Sequence, residues 1–339
     1  MIDLRSDTIT KPTSEMLEAM MTAEVGDDVF GDDPTVNSLQ EKTAEMFGME
    51  DGLYCPSGTM TNQIAMRILT RPQDEVICHK YSHVYLYEGG GMMYNSMLSP
   101  KLLEGNRGRI TADQIANSIN PDDIHFPKSK LVVLENTMNK GGGSIYDIEE
   151  IKKIRKVCDD HELKLHLDGA RFFNAVVTTG ESPKEYGKLF DTISICFSKG
   201  LGAPVGSVLL GTKDQIKEAK RVRKVFGGGM RQAGYLAAAC IYALDHHIDR
   251  LAKDHTRAQI IGEVLKSLPF IEEVMPVDTN IVIGKLVEGK SEKWLLDELE
   301  KQGIRAVGFG KGLVRFVTHL DFGGDDLSMF EKAILKISS

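Results

Sequence analysis

The segment Leu165-His166-Leu167-Asp168-Gly169-Ala170-Arg171 decides the fold class of this 339-residue chain. It begins inside a predicted strand, 163–167, and continues with a carboxylate, two small residues that allow a turn, and an arginine. In open parallel α/β sheets, ligands bind at the carboxyl ends of the strands. The aspartate is therefore expected at the edge of a sheet, where a ligand would bind.

Short β-branched runs alternate with amphipathic segments on both sides of this stretch. Asp33 and Pro34 suit the start of a helix that ends at Gly48, and apolar residues at helical spacing along 148–157 mark another helix. The central strands are continuously apolar, as expected for a sheet covered on both faces. This order predicts an α/β fold with a mostly parallel sheet. The other predicted strands of the sheet are 75–78, 130–134, 192–197 and 205–210.

The pattern changes after about residue 248. Helices are predicted near 250–267, 291–302 and 325–337, and short strands are predicted near 270–275, 280–284 and 312–317. We therefore expect two domains. Residues 1–248 would form an N-terminal arm and a large ligand-binding domain, and residues 249–339 a smaller α+β domain.

The composition excludes several classes of protein. The chain has 41 basic and 49 acidic residues, a net charge of −8, and no basic tract, which argues against nucleic acid or an anionic membrane as its partner. No apolar run approaches the roughly 20 residues of a membrane-spanning helix, and the N-terminus lacks a secretory signal. The five cysteines form no CxxC pair, so we expect reduced thiols in a cytoplasmic protein.

Three segments carry residues suited to chemistry, and each also has a structural interpretation. A carboxylate at position 168 can keep a bound heterocyclic nitrogen protonated, but strand-end aspartates more often cap the next helix. Lys199 follows an apolar strand, where burial favours the neutral amine that attacks carbonyl groups; the alternative is a lysine that extends to solvent. Ser57-Gly58-Thr59 marks a strand-to-helix turn whose free N–H groups suit a phosphate, although simple helix capping explains the same residues.

Together these segments predict one ligand, pyridoxal 5′-phosphate. This cofactor requires a phosphate site, a lysine for the Schiff base and an acidic partner for the ring nitrogen. The order of all three within one α/β frame is much harder to obtain by chance than any one of them. A nicotinamide cofactor is disfavoured because no GxGxxG follows the first strand. The nine histidines show no metal-ligand spacing, so no metal site is expected.

The chain resembles the low-specificity L-threonine aldolases of the aspartate aminotransferase-like (fold type I) superfamily. The similarity covers nearly the whole chain, and the combination of motifs is distinctive within the superfamily. The matching stretches are 3–8, 26–35, 57–59, His83, 168–171, 198–200, 227–232 and 315–319.

The resemblance implies a role for individual residues toward the cofactor. Lys199 would form the Schiff base, Asp168 would pair with the pyridine nitrogen, and His83 would stack on the ring. Gly58 and Thr59 would bind the phosphate. The implied catalytic residues are Lys199, His83 and Asp168, and the implied cofactor-binding residues are Gly58, Thr59, His83, Asp168, Arg171, Lys199 and Arg231. Glu88 is added as a catalytic candidate because it lies five residues after His83, close enough to assist proton transfer or orient a water, although a solvated glutamate explains it equally well.

The resemblance also implies a substrate site and an oligomer. Ser6, Arg171 and Arg315 would hold the substrate carboxylate, since arginine offers a bidentate fork. Arg231 follows three glycines and would reach the phosphate in a neighbouring subunit. Shared active sites of this kind imply a homo-oligomer, and the resemblance implies a tetramer built as a dimer of dimers.

Two substrate-binding positions depart from the family pattern. Met138 stands where the family has a histidine associated with the substrate β-hydroxyl, and Phe30 stands where it has a tyrosine. Both changes remove polarity that is expected on the substrate side, so they affect substrate preference more than cofactor binding. With Met138 in place, His83 becomes the candidate base for the β-hydroxyl proton, acting directly or through a water near Glu88.

The implied reaction is the retro-aldol cleavage of L-threonine, L-allo-threonine and related β-hydroxy-α-amino acids to glycine and an aldehyde, which is an aldehyde-lyase reaction. The two departures predict that larger apolar β-substituents, as in phenylserine, are accepted at least as well as threonine. Alternatives are β-elimination, racemisation or transamination on the same cofactor. A homologue that holds the cofactor without catalysis is a further alternative.

Overall fold

The computed structural model describes residues 1–337, and its elements follow the predicted alternation of strands and helices. A short 3-10 helix covers Asp7–Ile9. The strands are β1 Ile2–Asp3, β2 Asp51–Cys55, β3 Glu75–His79, β4 Ser99–Leu103, β5 Ser129–Glu135, β6 Lys164–Gly169, β7 Thr192–Cys196, β8 Ser207–Gly211, β9 Ile271–Val274, β10 Ile281–Leu286, β11 Ile304–Arg305, β12 Val307–Gly310 and β13 Leu313–Val317. The helices are α1 Ser14–Met21, α2 Pro34–Phe47, α3 Gly58–Leu69, α4 His83–Leu86, α5 Gly91–Ser96, α6 Ala112–Ala116, α7 Ile148–Asp160, α8 Phe172–Thr179, α9 Pro183–Leu189, α10 Lys213–Val225, α11 Gly234–His246, α12 Leu251–Lys266, α13 Glu292–Lys301 and α14 Gly324–Ile337.

Strands β2 to β8 form one seven-stranded sheet in the order β2-β8-β7-β6-β5-β3-β4. The strands from β7 to β4 pair in parallel, and β8 runs antiparallel to the other six strands of the sheet. The α/β fold with a mostly parallel sheet is thus confirmed. Because β2 runs in the same direction as the parallel strands, the loops after Cys55, His79, Glu135, Gly169 and Cys196 all leave the same edge of the sheet.

Helix α2 shows how the local sequence determines an element. Asp33 Oδ1 accepts hydrogen bonds from Thr35 N (3.1 Å) and Val36 N (3.0 Å), so it caps the helix. Pro34 occupies the first turn, where its missing N–H is not needed, and Gly48 ends the helix with a φ of 63°. The predicted start and end of this helix are both confirmed.

A second, smaller sheet lies in the C-terminal part of the chain. Its strands are antiparallel, in the order β12-β13-β10-β9, and α12, α13 and α14 pack against them. Phe316 and Phe330 meet edge to face in the core between sheet and helices, with ring centroids 5.7 Å apart. This core is separate from the large core around β5, β6 and β7. We propose residues 249–337 as the described part of the second domain, on the basis of these separate cores; residues 338 and 339, which the sequence prediction included, lie outside the described residues.

The N-terminal arm joins the C-terminal core instead of lying across the large domain. Its strand β1 pairs in parallel with β11, and Ile2 and Leu4 are buried among the apolar residues of the smaller core. The sequence pattern did not indicate this pairing, because a two-residue strand carries no periodicity. The arm then leads directly into the 3-10 helix beside the carboxyl edge of the large sheet.

Besides the two-residue strands β1 and β11, two longer strands were missed, β4 and β12, and both have weak sequence signals. β4 contains Pro100, which is tolerated because β4 is an edge strand, and β12 contains two glycines. All five cysteines are buried, and none of them takes part in a disulfide. None of the helices within residues 1–337 has both the length and the apolar character needed to cross a membrane.

Candidate active site

A cavity of about 390 Å³ opens between the carboxyl edge of the large sheet and strands β12 and β13. Five of the residues predicted for the site line it, although they come from distant parts of the sequence. These are Ser6, His83, Arg171, Lys199 and Arg315.

Lys199 reaches the cavity from the loop that follows β7. Its Nζ donates a hydrogen bond to Cys196 Sγ (3.3 Å), and that sulfur also contacts Ser207 Oγ (3.0 Å). Lys199 forms no ion pair with any residue in the range 1–337. The amine is therefore available to react with an aldehyde, as a Schiff-base lysine must be.

Asp168 is buried at the carboxyl end of β6, with 2% of its surface exposed. Its Oδ1 accepts a hydrogen bond from Ala170 N (3.1 Å), and its Oδ2 accepts one from Asn62 Nδ2 (2.9 Å). The first contact closes a turn ahead of α8 and is not the helix cap considered as the alternative, because Arg171 is the N-cap of that helix and α8 has no side-chain capping hydrogen bond. The second turns the other oxygen toward α3, so the carboxylate has a fixed orientation and keeps lone pairs for a further donor.

Asn62 is held by a hydrogen-bond chain that the sequence did not predict. Its Oδ1 lies 3.1 Å from His166 Nε2, and His166 Nδ1 lies 2.8 Å from Thr192 Oγ1. Burial lowers the pKa of His166 to about 4, so the ring is neutral and carries one N–H. We infer that Nε2 donates to Asn62, which leaves the amide nitrogen directed at Asp168 and, at 2.8 Å, at Glu88 Oε1.

Glu88 contacts the ring of His83, which makes it a buried residue and not a solvated one. The Glu88 Oε1 lies 3.0 Å from His83 Nδ1, while its Oε2 accepts a hydrogen bond from Gln63 Nε2 (2.6 Å). Burial acts to lower the pKa of His83, but the hydrogen bond to Glu88 and the charges of Asp168 and Glu135 outweigh it and raise that pKa. Since a carboxylate can only accept, Nδ1 carries the proton and Nε2 is left as the acceptor of the ring.

Glu135, at the carboxyl end of β5, is a site residue that sequence reasoning missed. Its two oxygens accept hydrogen bonds from the backbone N–H groups of His83 (2.8 Å) and Asn139 (2.9 Å). It lies beside Asp168 in the sheet register. Burial, together with the charge of Asp168, raises the pKa of Glu135 to about 7. Two adjacent buried carboxylates favour the binding of a cationic group at this edge of the sheet.

Replacement of Glu135 by glutamine is expected to flatten the dependence of stability on pH. The folded protein binds the Glu135 proton more tightly (pKa about 7, against 4.5 ordinarily), so the free energy of unfolding falls as the pH rises between these values. E135Q lacks this titration. The free-energy difference between wild type and E135Q should therefore change by roughly 1–3 kcal/mol across the interval, to the disadvantage of the wild type at the higher pH.

Denaturant unfolding of the cofactor-free proteins at several pH values measures this change. Cofactor-free protein is used because a bound cationic ring would alter the charge beside Asp168. At a single pH, the difference in free energy of unfolding between wild type and E135Q reports the lost hydrogen bond. The change of this difference with pH reports the titration of Glu135. A difference that stays constant from about pH 4.5 to about pH 7.5 would contradict the prediction.

Arg171 is anchored by Asp7, which the sequence motif included but did not single out. Its Nε and Nη2 donate to the two oxygens of Asp7 at 2.8 and 2.7 Å, and both side chains are buried. Burial acts to raise the pKa of Asp7, but Arg171 outweighs it and lowers that pKa to about 2. Arg171 therefore lines the cavity with the Nε and Nη2 edge of its guanidinium already bound to Asp7.

Arg315 faces the same cavity from β13 and has no carboxylate partner within residues 1–337. Its Nη1 donates to Asn139 Oδ1 (2.8 Å) and its Nη2 to Arg5 O (2.9 Å), while its buried Nε has no hydrogen-bond partner in this part of the chain. Burial, with the nearby charge of Arg171, lowers its pKa to about 10, so it stays charged at neutral pH. An unpaired, buried guanidinium is suited to bind an incoming carboxylate.

The first turn of α3 has the free N–H groups that were predicted for a phosphate cradle. Ser57 caps the helix by accepting a hydrogen bond from Met60 N (3.2 Å), so the N–H groups of Gly58 and Thr59 precede the first intrahelical hydrogen bond. A Cβ at Gly58 would lie 3.1 Å from Cys196 Sγ, which contacts Lys199. The cradle is therefore next to the reactive amine, and the donor set around the cavity fits pyridoxal 5′-phosphate.

Seven predicted site residues do not line this cavity. Asp168, Glu88, Gly58 and Thr59 are next to it through the contacts described above, and the other three are not. Phe30 (76% exposed) lines a separate concavity of about 600 Å³. Arg231 is also exposed, and its Nη1 pairs with Asp27 Oδ2 at 2.8 Å. Met138 is fully buried, and its side chain packs against the backbone of Gly108, where a Cβ would lie 2.2 Å from Met138 Cγ. Within one chain, none of the three is brought to Lys199.

Comparisons with known proteins identify the family to which the chain is similar. Residues 3–288 match the model of the beta-eliminating lyase family. The low specificity L-threonine aldolase of Escherichia coli K12 is 44% identical over 329 residues, which cover 97% of this chain and 96% of that protein. The low-specificity L-threonine aldolase 1 of Arabidopsis thaliana is 38% identical and covers 98% of this chain and 96% of its own length.

Solved structures show the same fold. A threonine aldolase from Leishmania major superposes with a TM-score of 0.87 at 20% identity and covers 100% of both chains. A putative L-allo-threonine aldolase from Listeria monocytogenes superposes with a TM-score of 0.82 at 24% identity and covers 99% of this chain and 96% of its own.

Proposed function

The chain belongs to the beta-eliminating lyase family and, within it, to the low-specificity L-threonine aldolases, and on this premise we propose that it cleaves L-threonine and L-allo-threonine to glycine and acetaldehyde with pyridoxal 5′-phosphate. The observation that carries the proposal is one cavity that joins an amine without an ion pair, Lys199, and an unpaired guanidinium, Arg315. A buried strand-end carboxylate, Asp168, lies within 4.8 Å of His83, which lines the same cavity.

Three groups would hold the cofactor. Lys199 would bind its aldehyde, Asp168 would keep its ring nitrogen protonated, and the N–H groups of Gly58 and Thr59 would bind its phosphate. When bound, the cofactor supplies an electron sink for the bond that breaks at the substrate Cα. Asn62 keeps the Asp168 carboxylate in place, and the adjacent charge of Glu135 further favours a cation at this position.

The arginines orient the substrate and so select the bond that breaks. Arg315 binds the α-carboxylate through the groups that have no protein partner, and Arg171, fixed by Asp7, supplies a second cation to the same anion. Ser6 also lines the cavity; its Oγ accepts hydrogen bonds from Thr8, so its own hydroxyl proton is left to donate to the substrate carboxylate. A carboxylate fixed in this way fixes the rotation of the substrate about Cα, which decides whether the Cα–Cβ bond is the one that breaks.

His83 removes the proton of the β-hydroxyl in this proposal. The Glu88 contact places the ring proton on Nδ1, so Nε2 accepts, and the raised pKa of His83 makes it a stronger base than an ordinary histidine. The histidine that the family has at position 138 is not needed for this step. Met138 supports the assignment to His83, because its buried thioether cannot take up a proton.

Substitution of His83 by phenylalanine is expected to lower kcat for threonine cleavage by about a hundredfold, because the ring is kept but the proton acceptor is lost. Cofactor binding should persist, and the absorbance of the bound cofactor measures it. E88Q serves as the matched variant: it leaves the imidazole in place and should reduce kcat less than H83F does. If H83F turns over at the wild-type rate, the base lies elsewhere.

Product analysis tests the function as a whole. The cofactor-loaded protein is incubated with L-threonine, L-allo-threonine and phenylserine, and glycine and aldehyde are measured. Ammonia with an oxo acid would indicate β-elimination, and an amino acid of inverted configuration would indicate racemisation. Transfer of the amino group to another oxo acid would indicate transamination. Bound cofactor without any product would indicate a non-catalytic homologue. Tyr87 and Phe309 line the cavity and can pack against an aromatic substituent on Cβ. We therefore expect phenylserine to be cleaved with a kcat/KM at least as high as that of threonine.

The proposal extends to assembly and location. Phe30 and Arg231 are exposed and lie away from the cavity of their own chain, which supports their contribution to the site of a neighbouring subunit in a homotetramer. Sedimentation of the cofactor-loaded protein tests the tetramer. We also propose a cytoplasmic location, consistent with the buried, reduced cysteines.

A further inference from the structure

One cation in the cavity has no role in the proposed reaction. Lys140 lines the cavity, and its Nζ donates to Phe309 O (3.1 Å) and lies 3.7 Å from the centroid of the Phe309 ring. It forms no ion pair within residues 1–337. An ammonium group has three donors, so two remain for a ligand.

The charges that line the cavity do not balance for a substrate with one carboxylate. Lys199 is assigned to the cofactor, Arg171 is paired with Asp7, and Arg315 binds the α-carboxylate. No aspartate or glutamate is among the described residues that line the cavity. Lys140 is therefore a partly buried cation without an anion, which favours a ligand that brings a second negative charge.

The position of Lys140 indicates where that charge would lie. The Phe309 ring contacts Lys140 Nζ and also the Arg315 guanidinium carbon, which is 4.7 Å from the ring centroid. Asn139, the neighbour of Lys140 in the chain, accepts the hydrogen bond from Arg315 Nη1. The two anion sites are thus close to each other, as the two carboxylates of a four-carbon amino acid are.

We propose that the site also cleaves β-hydroxy-α-amino acids with a carboxylate on Cβ, of the 3-hydroxyaspartate type, and that Lys140 binds this second carboxylate. The inference rests on the proposed function, since the same bond breaks. The Cα–Cβ bond is cleaved, His83 takes the β-hydroxyl proton, and Cβ leaves as the aldehyde of an oxo acid, glyoxylate. The Cα carbon regains one proton and leaves as glycine, so no oxidant or reductant is required.

A ratio of specificity constants tests the proposal in the cofactor-loaded enzyme. Wild type and K140Q are compared for kcat/KM with L-threo-3-hydroxyaspartate and with L-threonine. The ratio of the first value to the second is expected to fall about tenfold or more in K140Q, because a charge-assisted hydrogen bond is lost for one substrate only. K293Q removes an equal charge from the exposed surface of α13 and should leave the ratio unchanged.

Equilibrium binding provides a measurement that does not depend on turnover. L-aspartate and L-2-aminobutyrate both lack the β-hydroxyl, and only L-aspartate has the second carboxylate. Their dissociation constants are read from the change in absorbance of the bound cofactor. K140Q is expected to raise the dissociation constant of L-aspartate about tenfold relative to that of L-2-aminobutyrate.

The outcomes separate this inference from the proposed function. An equal rise of both dissociation constants in K140Q would assign Lys140 to the α-carboxylate and overturn the inference. Two unchanged dissociation constants would also overturn it. If threonine yields no aldehyde but L-aspartate still depends on Lys140, the proposed function fails and the second anion site stands. If threonine is cleaved and the ratio is unchanged in K140Q, the second anion site fails alone.

Discussion

Replacement of Lys199 by alanine is expected to abolish threonine cleavage, with a loss of roughly ten-thousandfold or more in kcat/KM. Lys199 is the amine at the carboxyl edge of the sheet that forms no ion pair within residues 1–337, and it is adjacent to the phosphate cradle at Gly58. No other lysine that lines the cavity is next to that cradle, since Lys140 is held by Phe309. Without Lys199, therefore, no group in the cavity can take over the covalent attachment of the cofactor.

Borohydride reduction followed by peptide mass analysis measures that attachment directly. The wild-type protein should carry one cofactor adduct, at Lys199, and K199A should carry none. K199R is the matched variant, because its guanidinium keeps the positive charge but does not condense with an aldehyde; it should be as inactive as K199A. An adduct on another lysine, or a K199R protein that still cleaves threonine, would refute the assignment.

Replacement of Asp168 by asparagine is expected to lower kcat roughly a hundredfold to a thousandfold, because the ring nitrogen loses its anionic partner inside a buried site. The side chain keeps its size, so the packing at the end of β6 is largely preserved. Asp168 Oδ1 and Oδ2 both accept hydrogen bonds, from Ala170 N and Asn62 Nδ2. An amide offers only one acceptor, so one of these two contacts is lost as well.

The D168N variant carries a second signature beside its activity. The charge of Asp168 contributes to the raised pKa of Glu135 and of His83, so its removal should lower both pKa values. The acidic limb of the pH–rate profile, which reports the protonation of His83, should therefore move to lower pH. D168E restores the charge and should recover part of the activity. A D168N protein with wild-type kcat would show that the cofactor nitrogen does not depend on this carboxylate.

Much of the site was predictable because its residues lie at the ends of recognisable strands. Asp168 and Lys199 follow strongly apolar runs, and Ser57-Gly58-Thr59 begins an amphipathic helix. Such signals are local, since a strand end, a glycine turn and a helix cap are each specified within a few residues. Their position at one edge of the large sheet followed from the rule that the carboxyl ends of parallel strands lie on the same side of a sheet.

Other parts of the site were not predictable from the sequence. Asn62 contacts a carboxylate 106 positions away, and nothing in the pattern of α3 marks that face of the helix. The burial of Glu88 against His83, which the sequence left open, became clear only with α3 in place. Met138 was expected near the substrate from its place in a motif, but its side chain turns toward Gly108.

The sequence by itself determined which residues can react and on which strand ends they lie. The tertiary structure decided which of them meet, and which cations are already paired. Arg171 and Arg315 look alike in the sequence, yet Asp7 neutralises the first and no carboxylate within residues 1–337 neutralises the second. The reason is physical: reactivity and helix or strand propensity belong to single residues and short segments. The pairing of buried charges depends on which distant segments the packing of two cores brings together.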